Sequence, residues 1–329
     1  CPLQASFYPE WGATCNSNNP DFTLASNGIT CLCPNADYGD SGTLTINGED
    51  KTFTKRTRAQ LDALIANDVD DPQIALTCTS GITDMTNLFS PFSGNDVSSF
   101  NQNLEHWDVS NVINMTNLFT LASSFNQPLN VWDVSNVTNF FQTFAGAESF
   151  NQPLNNWDVS SATTMRSMFL FLDNSSFNQP LNNWNVSNVT DMIGMFRNAS
   201  SFDQPLNDWD VSNVTDMSGM FAGAISYDQS LNDWDVSNVT SMSGLFSGTS
   251  IFDQPLDDWN ISNVTDMSGM FAGAISYDQS LNDWDVSNVT DMSGMFSNAK
   301  NFNQDLSGWN FNQNVVFNSF LNNTDLSNL

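Results

Sequence analysis

Several residue types are scarce or absent in this 329-residue sequence, and each absence excludes a class of protein. There is one histidine, His106, and no cysteine follows Cys78, so the long remainder of the chain has no His/Cys set for zinc binding or nucleophilic catalysis. No Gly-rich phosphate loop occurs. No apolar run approaches the roughly 20 residues that a membrane-spanning helix needs. We therefore expect a protein that is not an enzyme and that has no transmembrane segment.

Basic residues are also scarce. Seven Lys and Arg stand against 36 Asp and Glu, which gives a formal net charge of −29. After residue 80 the only basic residues are Arg166, Arg197 and Lys300. A chain with this charge is repelled by polyanions such as nucleic acid and by anionic membrane surfaces. The sequence therefore predicts no nucleic-acid partner.

The cysteines are confined to the start of the chain, at Cys1, Cys15, Cys31, Cys33 and Cys78. Such clustering is typical of a small disulfide-stapled region made in an oxidising compartment, so we expect a secreted or cell-surface protein. We expect Cys33 to pair with Cys78, which leaves Cys1, Cys15 and Cys31 unassigned. Because the number is odd, one cysteine is left over.

The first residue has two interpretations. The chain does not start with Met, which indicates that a signal peptide has been removed. Cys1 is then either the lipid-modified cysteine of a bacterial lipoprotein or a disulfide partner just after a cleavage site. Both interpretations stay open on the sequence.

The tryptophans reveal an internal repeat. After Trp11 every interval between them is 25 residues, except the 27 residues from Trp157 to Trp184. Residues 212–240 and 262–290 are identical. The repeating tryptophans, which we expect to form a structural core column, are Trp107, Trp132, Trp157, Trp184, Trp209, Trp234, Trp259, Trp284 and Trp309. A fixed period of this length is the sequence signature of a repeat architecture.

Within each repeat the apolar residues recur at mixed spacings of two, three and four, whereas a helix would hold 3.6 and a strand 2. Mixed spacing is typical of a coil whose short strand, bend and single helical turn each direct an apolar side chain inward. We therefore predict a repeat solenoid over residues 81–308, with one coil per repeat. Residues 309–329 are degenerate, and we interpret them as a terminal cap or a surface for a partner.

Residues 1–80 precede the repeats and have a different pattern. Asn47-Gly48 lies between two β-rich runs in residues 43–54, which predicts a hairpin. Thr57 to Gln60 has capping-box spacing before Leu61, Leu64 and Ile65, which predicts a short helix. The sequence thus indicates a small, disulfide-stapled α+β cap at the N-terminal end of the solenoid.

The repeat has a recognisable consensus. Leu206 to Phe221, which reads Leu-x-x-Trp-x-Val-Ser-Asn-Val-Thr-x-Met-x-x-Met-Phe, resembles the repeat of the BspA-like surface proteins, a family related to the leucine-rich repeats. The resemblance covers roughly residues 80–321. It implies an LRR-like solenoid in which Trp-x-Val is the strand of a parallel sheet. It also implies an exported protein associated with adhesion or binding at cell surfaces, and it carries over no catalytic residue.

If the tryptophans face inward, the residues beside them face outward and form acidic columns. The residues concerned are Asp208, Asp210, Asp233, Asp235, Asp258, Asp283 and Asp285. Like charges stacked along a sheet destabilise it, and Ca²⁺ is the natural compensating ion because it takes several oxygen ligands. A solvated acidic face screened by salt, and a face that binds a cationic protein or a sugar, are the alternatives.

A column of N-x-Thr sequons, at Asn136, Asn188, Asn213, Asn238, Asn263 and Asn288, also follows the repeat. Adjacent coils are too close for every position to carry a glycan, so we predict that these asparagines hydrogen-bond backbone at a bend. Asn174 and Asn322 lie off the column and are the better glycosylation candidates. The glutamine found in every repeat is expected to bond to its copies along the stack.

Two functions follow from the sequence. The first is an extracellular structural or adhesive protein, which binds other surface molecules or joins to itself head to tail in filaments, with the spare cysteine available to lock a junction. The second is a receptor-like cell-surface module whose acidic face binds a carbohydrate, a protein or Ca²⁺. Both depend on an uninterrupted stack of coils.

Overall fold

The computed structural model describes residues 19–172 and 174–324. Its regular elements lie in the N-terminal part of the chain. They are β1 (Thr23–Leu24), β2 (Cys31–Leu32), β3 (Ser41–Ile46), β4 (Glu49–Lys55), α1 (Arg58–Asn67) and β5 (Thr77–Cys78), followed by a 3₁₀ turn at Pro91–Ser93. Strands β1 and β2 are antiparallel, and the second sheet has the order β3-β4-β5.

The hairpin of β3 and β4 is built on a two-residue turn. Ile46 pairs with Glu49, and the intervening Asn47 and Gly48 have positive φ angles of 53° and 83°. A type I′ turn requires this left-handed backbone at both positions, which Asn-Gly adopts at low cost. Strand β5 then pairs with β4 in the parallel direction.

Helix α1 closes the N-terminal end of the stack. The side chain of Thr57 accepts from the N–H of Gln60, and the Gln60 side chain accepts from the N–H of Thr57, which completes a capping box. Leu61 and Ile65 are buried and belong to the same apolar core as the repeats. The helix ends at Asn67, before Asp68.

A disulfide between Cys33 and Cys78 joins the cap to the start of the repeats, as the sequence predicts. Cys31 is a free thiol that is 0% exposed, and burial raises its pKa to about 12, with a smaller contribution from the charge of Asp108. A thiol in this position cannot reach another folded molecule, so Cys31 is excluded as a covalent lock between copies. Cys1 and Cys15 lie outside the described residues.

Each repeat from Ile82 onward forms one coil that lies against the next, through isolated parallel bridges between single residues. The bridges join Asp84, Asn114, Asn139, Thr164, Asp191, Asp216, Ser241, Asp266, Asp291 and Val316 in succession. The prediction that Trp-x-Val forms the strand is therefore wrong. Trp209 to Val211 lies in no strand, and the bridged residue Asp216 comes seven positions after the tryptophan.

The segment after the bridge is neither a strand nor a helical turn, in contrast to the prediction of a short strand and a short helical turn per coil. Gly219 and Gly223 have φ angles of 62° and 73°, and this left-handed backbone interrupts an extended strand. Between these positions the chain makes tight turns, such as the bond from the Met220 N–H to the Met217 carbonyl at 3.1 Å. Among the described residues of the repeats, the only helical element is the 3₁₀ turn at Pro91–Ser93.

The core between the coils is aromatic and fully packed. The rings of Trp209 and Trp234 lie 6.4 Å apart with planes 1° from parallel. The indole N–H of Trp234 donates to the Leu206 carbonyl of the preceding coil at 2.9 Å. The bond satisfies the one polar group of a buried side chain, because an indole N–H must find an acceptor when it leaves water. The tryptophans from Trp107 to Trp309 thus form the core column that their spacing predicts.

Candidate functional surfaces

The acidic residues beside the tryptophans are exposed and form two columns. In the first column Asp210 accepts from the N–H and the hydroxyl of Ser212, at 3.1 and 2.6 Å, and Asp235 and Asp285 accept from the serine two residues on in the same way. These bonds lie within one coil. They hold each carboxylate against its own turn rather than against its copy in the next coil.

The second column is bonded between coils. Asp208 accepts from the Asn182 side chain at 2.5 Å, and Asp258 accepts from the Asn232 side chain at 2.7 Å. Asp233 and Asp283, which complete the set of predicted metal ligands, are exposed. In residues 19–172 and 174–324 no group of three or more His, Cys, Asp or Glu side chains could hold a metal ion. Among these described residues the predicted Ca²⁺ ligands are therefore not gathered into one group, and Asp208, Asp210, Asp235, Asp258 and Asp285 are bonded to an amide or a serine instead.

The serine contacts shift the pKa of several of these carboxylates. The hydroxyl of Ser237, and to a smaller extent its N–H, lowers the pKa of Asp235, and Ser287 acts in the same way on Asp285. A bond that is donated to the charged form stabilises that form. Asp235 and Asp285 are therefore ionised at neutral pH.

The sequon asparagines bond to backbone, as their spacing predicts. The side-chain amide of Asn238 donates to the Ser212 carbonyl at 2.7 Å, in the preceding coil. The same bond, at 2.7 to 2.8 Å, is made by Asn136, Asn188, Asn213, Asn263 and Asn288. The nitrogen that a glycan would modify is therefore occupied in holding two coils together.

The off-column sequons differ from these. Asn174 and Asn322 are both exposed. The Asn322 backbone is fixed, since its carbonyl accepts from the N–H of Asn298 at 2.7 Å. Both residues remain the glycosylation candidates of the chain.

A further ladder, which we call the Asx–Gln ladder, lies after the phenylalanine of each repeat. Asp203 accepts twice from the next coil, from the N–H of Asp228 at 3.1 Å and from the side chain of Gln229 at 2.8 Å. The same acceptor position is filled by Asn101, Asn126, Asn151, Asn178, Asp228, Asp253 and Asp278. The expectation that the glutamines bond to one another is therefore wrong. From Gln127 to Gln304 each glutamine bonds to the Asn or Asp of the preceding coil, and Gln102 donates to the backbone carbonyls of Val69 and Asp71.

The cap meets the first coil through buried polar contacts. The Ser80 hydroxyl donates to the Asp108 side chain at 2.5 Å, and the N–H of Cys31 donates to the His106 carbonyl at 2.8 Å. Burial lowers the pKa of His106, whose ring lies edge-on to Phe53 at 5.6 Å. His106 therefore lies at the interface between the cap and the first coil, where its Nδ1 is 3.2 Å from the Ile29 carbonyl.

Arg58 makes the most direct contact between the cap and the repeats. Its guanidinium donates to the backbone carbonyls of Asp84 and Thr86, both at 2.7 Å, and it pairs with Asp62 at 2.8 Å. Sequence reasoning did not assign this residue. The signal in the sequence that could have identified Arg58 is its position as the first residue of a helix that covers the open end of a stack.

The other end of the described stack is apolar and open. Phe311, Val316 and Phe317 are each 40% exposed. They adjoin a groove of about 440 Å³ that is lined by Leu306, Trp309, Phe311, Phe317, Phe320 and Leu321, together with Asp305 and Ser307. The predicted terminal segment therefore presents a surface, although Phe320 and Leu321 pack against the core.

Comparison with known proteins gives a family for the repeats. Matches to the family described as "Mycoplasma protein of unknown function, DUF285" cover residues 63–173, 169–240 and 226–328. Comparison with curated proteins and with solved structures finds no match to the chain. Within the described residues no helix is long and apolar enough to cross a membrane. Because the matches together span residues 63–328, the chain is a repeat protein that belongs to the DUF285 family.

Proposed function

We propose that this protein is an extracellular structural and adhesive repeat protein, built as an LRR-like solenoid related to the BspA-like surface proteins. The observation that carries the proposal is the continuity of the bonds between coils. Along the body of the stack each coil contributes a tryptophan bond and an Asx–Gln pair to its neighbour, and every coil except that of Trp157, which has Ser161 in place of Asn, adds an Asn bond. A scaffold that bears load or displays a surface needs such continuity, and an enzyme site does not.

Two features support this role. The interior is close-packed, with ring pairs such as Phe221 and Tyr227 at 4.3 Å, so the repeats leave little room for a small ligand. The exposed faces repeat the same polar groups from coil to coil. Repetition gives many equal, weak contacts to a partner surface, and such contacts produce avidity when several engage together.

The test of adhesion uses intact cells of the source organism. Antibodies to the repeats are expected to label unpermeabilised cells, and deletion of the coding sequence is expected to reduce attachment of the cells to surfaces or to each other. Re-expression of the full chain is the control. Protease added to intact cells is expected to cleave the protein. Cleavage only after lysis of the cells, or normal attachment of the deletion strain, contradicts the proposal.

A second candidate function is a receptor-like module that uses the acidic face for a cationic protein or a carbohydrate. The lowered pKa of Asp235 and the exposure of Asp233 beside it favour this candidate, because the two carboxylates are charged and accessible. The double variant Asp233→Asn, Asp235→Asn is expected to lose saturable binding. Asp68→Asn with Asp70→Asn changes the charge equally in the cap and is expected to bind normally. Equal binding by both double variants counts against the acidic face.

A further inference from the structure

Part of the backbone of each coil has a fixed direction along the stack, because its peptide groups point the same way. In the segment after the bridge, the N–H groups of Met217, Gly219 and Phe221 donate to carbonyls of the next coil at 3.1, 2.8 and 3.0 Å. The carbonyls of Asp216, Ser218 and Met220 accept from the preceding coil. Alternate peptide groups therefore point the same way, with N–H groups toward the C-terminal end. Their dipoles add along the stack, as they do in a helix.

Because of this polarity, the two ends of the stack require opposite hydrogen-bond partners, donors at one end and acceptors at the other. At the N-terminal end the first coil presents carbonyls, and Arg58 satisfies those of Asp84 and Thr86. At the C-terminal end the last described coil presents the equivalent N–H groups. In the part of the chain that the structure describes, four of these groups have no acceptor, and they belong to Phe317, Ser319, Leu321 and Asn323.

Aromatic side chains surround this row of donors. The rings of Phe311 and Phe317 meet edge to face at 5.0 Å, and those of Phe317 and Phe320 at 5.3 Å. Rings of adjacent coils in the body of the stack are instead nearly parallel, as for Phe246 and Phe271. We call the four N–H groups and the groove of Phe311, Phe317 and Leu321 the tail surface. A partner for it must supply acceptors and a flat apolar face.

The opposite end of the molecule has these properties, and we call it the head surface. Because Leu61 and Ile65 of α1 face the core, the opposite face of the helix carries the exposed Ala59, Ala63 and Ala66. Ala63 and Ala66 border a groove that is also lined by Thr86 and Phe92 of the first coil. The carboxylate of Asp62, which pairs with Arg58 through one oxygen, is partly exposed there, and Asp68 is exposed at the end of the helix. The carbonyl end of a helix also bears a partial negative charge.

We propose that the tail surface of one molecule binds the head surface of a second copy. Small alanine side chains leave room for the phenylalanine rings, and the acidic, carbonyl-bearing end of α1 complements the four donors. A two-fold contact through the tail surface would set donors against donors. The head-to-tail contact is heterologous, and repetition of such a contact gives a filament unless it closes into a ring. This inference rests on the proposed structural role and names its partner.

The test is a mixing experiment with the full chain, measured by sedimentation velocity over a range of concentrations. The wild type is expected to form a ladder of linear oligomers. Phe317→Asp blocks the tail and Ala63→Arg blocks the head, so each variant alone is expected to be monomeric. In an equimolar mixture the Ala63→Arg variant supplies an intact tail and the Phe317→Asp variant supplies an intact head. The mixture is therefore expected to form 1:1 dimers and nothing larger.

Controls separate a surface effect from misfolding. Ile275→Asp and Ser230→Arg make the same changes at exposed positions on the body of the stack and are expected to assemble like the wild type. Phe311→Asp is a second tail variant, and unchanged circular dichroism shows that each variant folds. We expect each blocking variant to weaken association at least about tenfold, because a charge loses water at an apolar contact.

Three results overturn the proposal. They are a wild type that is monomeric at every concentration, a head variant that still dimerises, and a mixture that stays monomeric. The second result would indicate a two-fold tail-to-tail contact. None of the three affects the adhesion test on intact cells, so failure of the junction and failure of the proposed function are distinguishable.

Discussion

The indole N–H of Trp234 and the carbonyl of Leu206 are joined by a buried hydrogen bond of 2.9 Å between successive coils. The same bond links every tryptophan from Trp132 to Trp309 to a leucine 28 or 30 residues earlier. It explains why tryptophan, rather than another large apolar residue, recurs at this position. The indole ring fills the core, and its N–H donates a hydrogen bond to the buried Leu carbonyl.

Trp234→Phe is expected to destabilise the stack by about 2–4 kcal/mol. The change removes the indole donor, whose bond is worth about 0.5–1.5 kcal/mol because the Leu206 carbonyl still accepts from the Trp209 N–H at 3.1 Å, and it adds a cavity where the larger ring was. Urea unfolding followed by circular dichroism measures the effect. Ile225→Ala, at a side chain that is 46% exposed, is the matched control and is expected to change the stability little. Substitutions at exposed sites usually change the free energy of unfolding by less than about 0.5 kcal/mol. A loss as small as that for the tryptophan variant would contradict the role of this bond.

Tyr227→Phe is expected to stabilise the protein, by about 1 kcal/mol. The hydroxyls of Tyr227 and Tyr277 are buried and have no hydrogen-bond partner among the described residues. Neighbouring coils place Phe202 and Phe252 at the same position. Removal of the hydroxyl relieves an unsatisfied polar group without loss of ring packing. The unfolding midpoint in urea measures this, and a lower midpoint for the variant would show that the hydroxyl has a partner.

The same tyrosines give a spectroscopic prediction. Burial, and to a smaller extent the nearby charge of Asp203, raises the pKa of Tyr227 well above its ordinary value. Its phenol is therefore expected to ionise only when the stack unfolds in alkali. Absorbance at the tyrosinate band, measured for the wild type and for Tyr227→Phe, tests this. A difference between the two spectra that appears before the far-ultraviolet circular dichroism changes would refute it.

Two substitutions at Asp228 separate charge from hydrogen bonding in the Asx–Gln ladder. Asp228 accepts from the N–H of Asp253 and from Gln254, both at 3.0 Å. Asp228→Asn keeps an acceptor oxygen and removes a like charge from the run of Asp203, Asp228 and Asp253, so we expect equal or higher stability, most clearly at low salt. Asp228→Ala removes the acceptor and is expected to cost about 1–3 kcal/mol. Equal stability of the two variants would mean that the ladder bonds contribute nothing.

The acidic column predicts a dependence of stability on pH. The pKa of Asp235 in the folded chain lies below the ordinary value of 3.8, because the Ser237 hydroxyl and N–H bond to the charged form. A lowered folded pKa contributes stability above the unfolded value, and this contribution is lost as the pH falls from about 3.8 through the folded value. Ser237→Ala is expected to reduce the loss over this window, whereas Ser230→Ala is expected to leave it unchanged. Thermal unfolding at a series of pH values measures both.

The sequence predicted those features that depend on one coil or on the repeat period. The buried tryptophan column follows from the 25-residue interval, the hairpin from Asn47-Gly48, and the bonding of the sequon asparagines to backbone from the preference of Asn for turns, although the sequence did not predict that Asn238 would reach Ser212 in the preceding coil. The pairing of Cys33 with Cys78 was also predicted. The position of the bridge was predicted wrongly, because apolar spacing shows which side chains face inward and not which peptide groups face the next coil.

The polar contacts between coils were the least predictable from sequence. Gln229 bonds to Asp203, and Asp258 accepts from Asn232, at sequence separations of 26 residues in both cases. A residue type fixes how many bonds a side chain can make, but its partner depends on the lateral offset of adjacent coils. The acidic columns show the consequence, since Asp210 accepts from Ser212 of its own coil, whereas Asp258 accepts from Asn232 of the preceding coil.

By itself the sequence determined that this chain stacks repeated coils around a tryptophan column, since a fixed period of large apolar residues can be buried only against its own copies. Only the tertiary structure decided in which direction along the stack the peptide N–H groups point. The peptide groups of Met217 and Gly219 point their N–H groups toward the next coil, with the left-handed backbone held by Gly219 here and by Asn117 and Gln142 in earlier coils. That polarity places carbonyls under Arg58 at one end and, among the described residues, N–H groups without an acceptor beside Phe317 at the other.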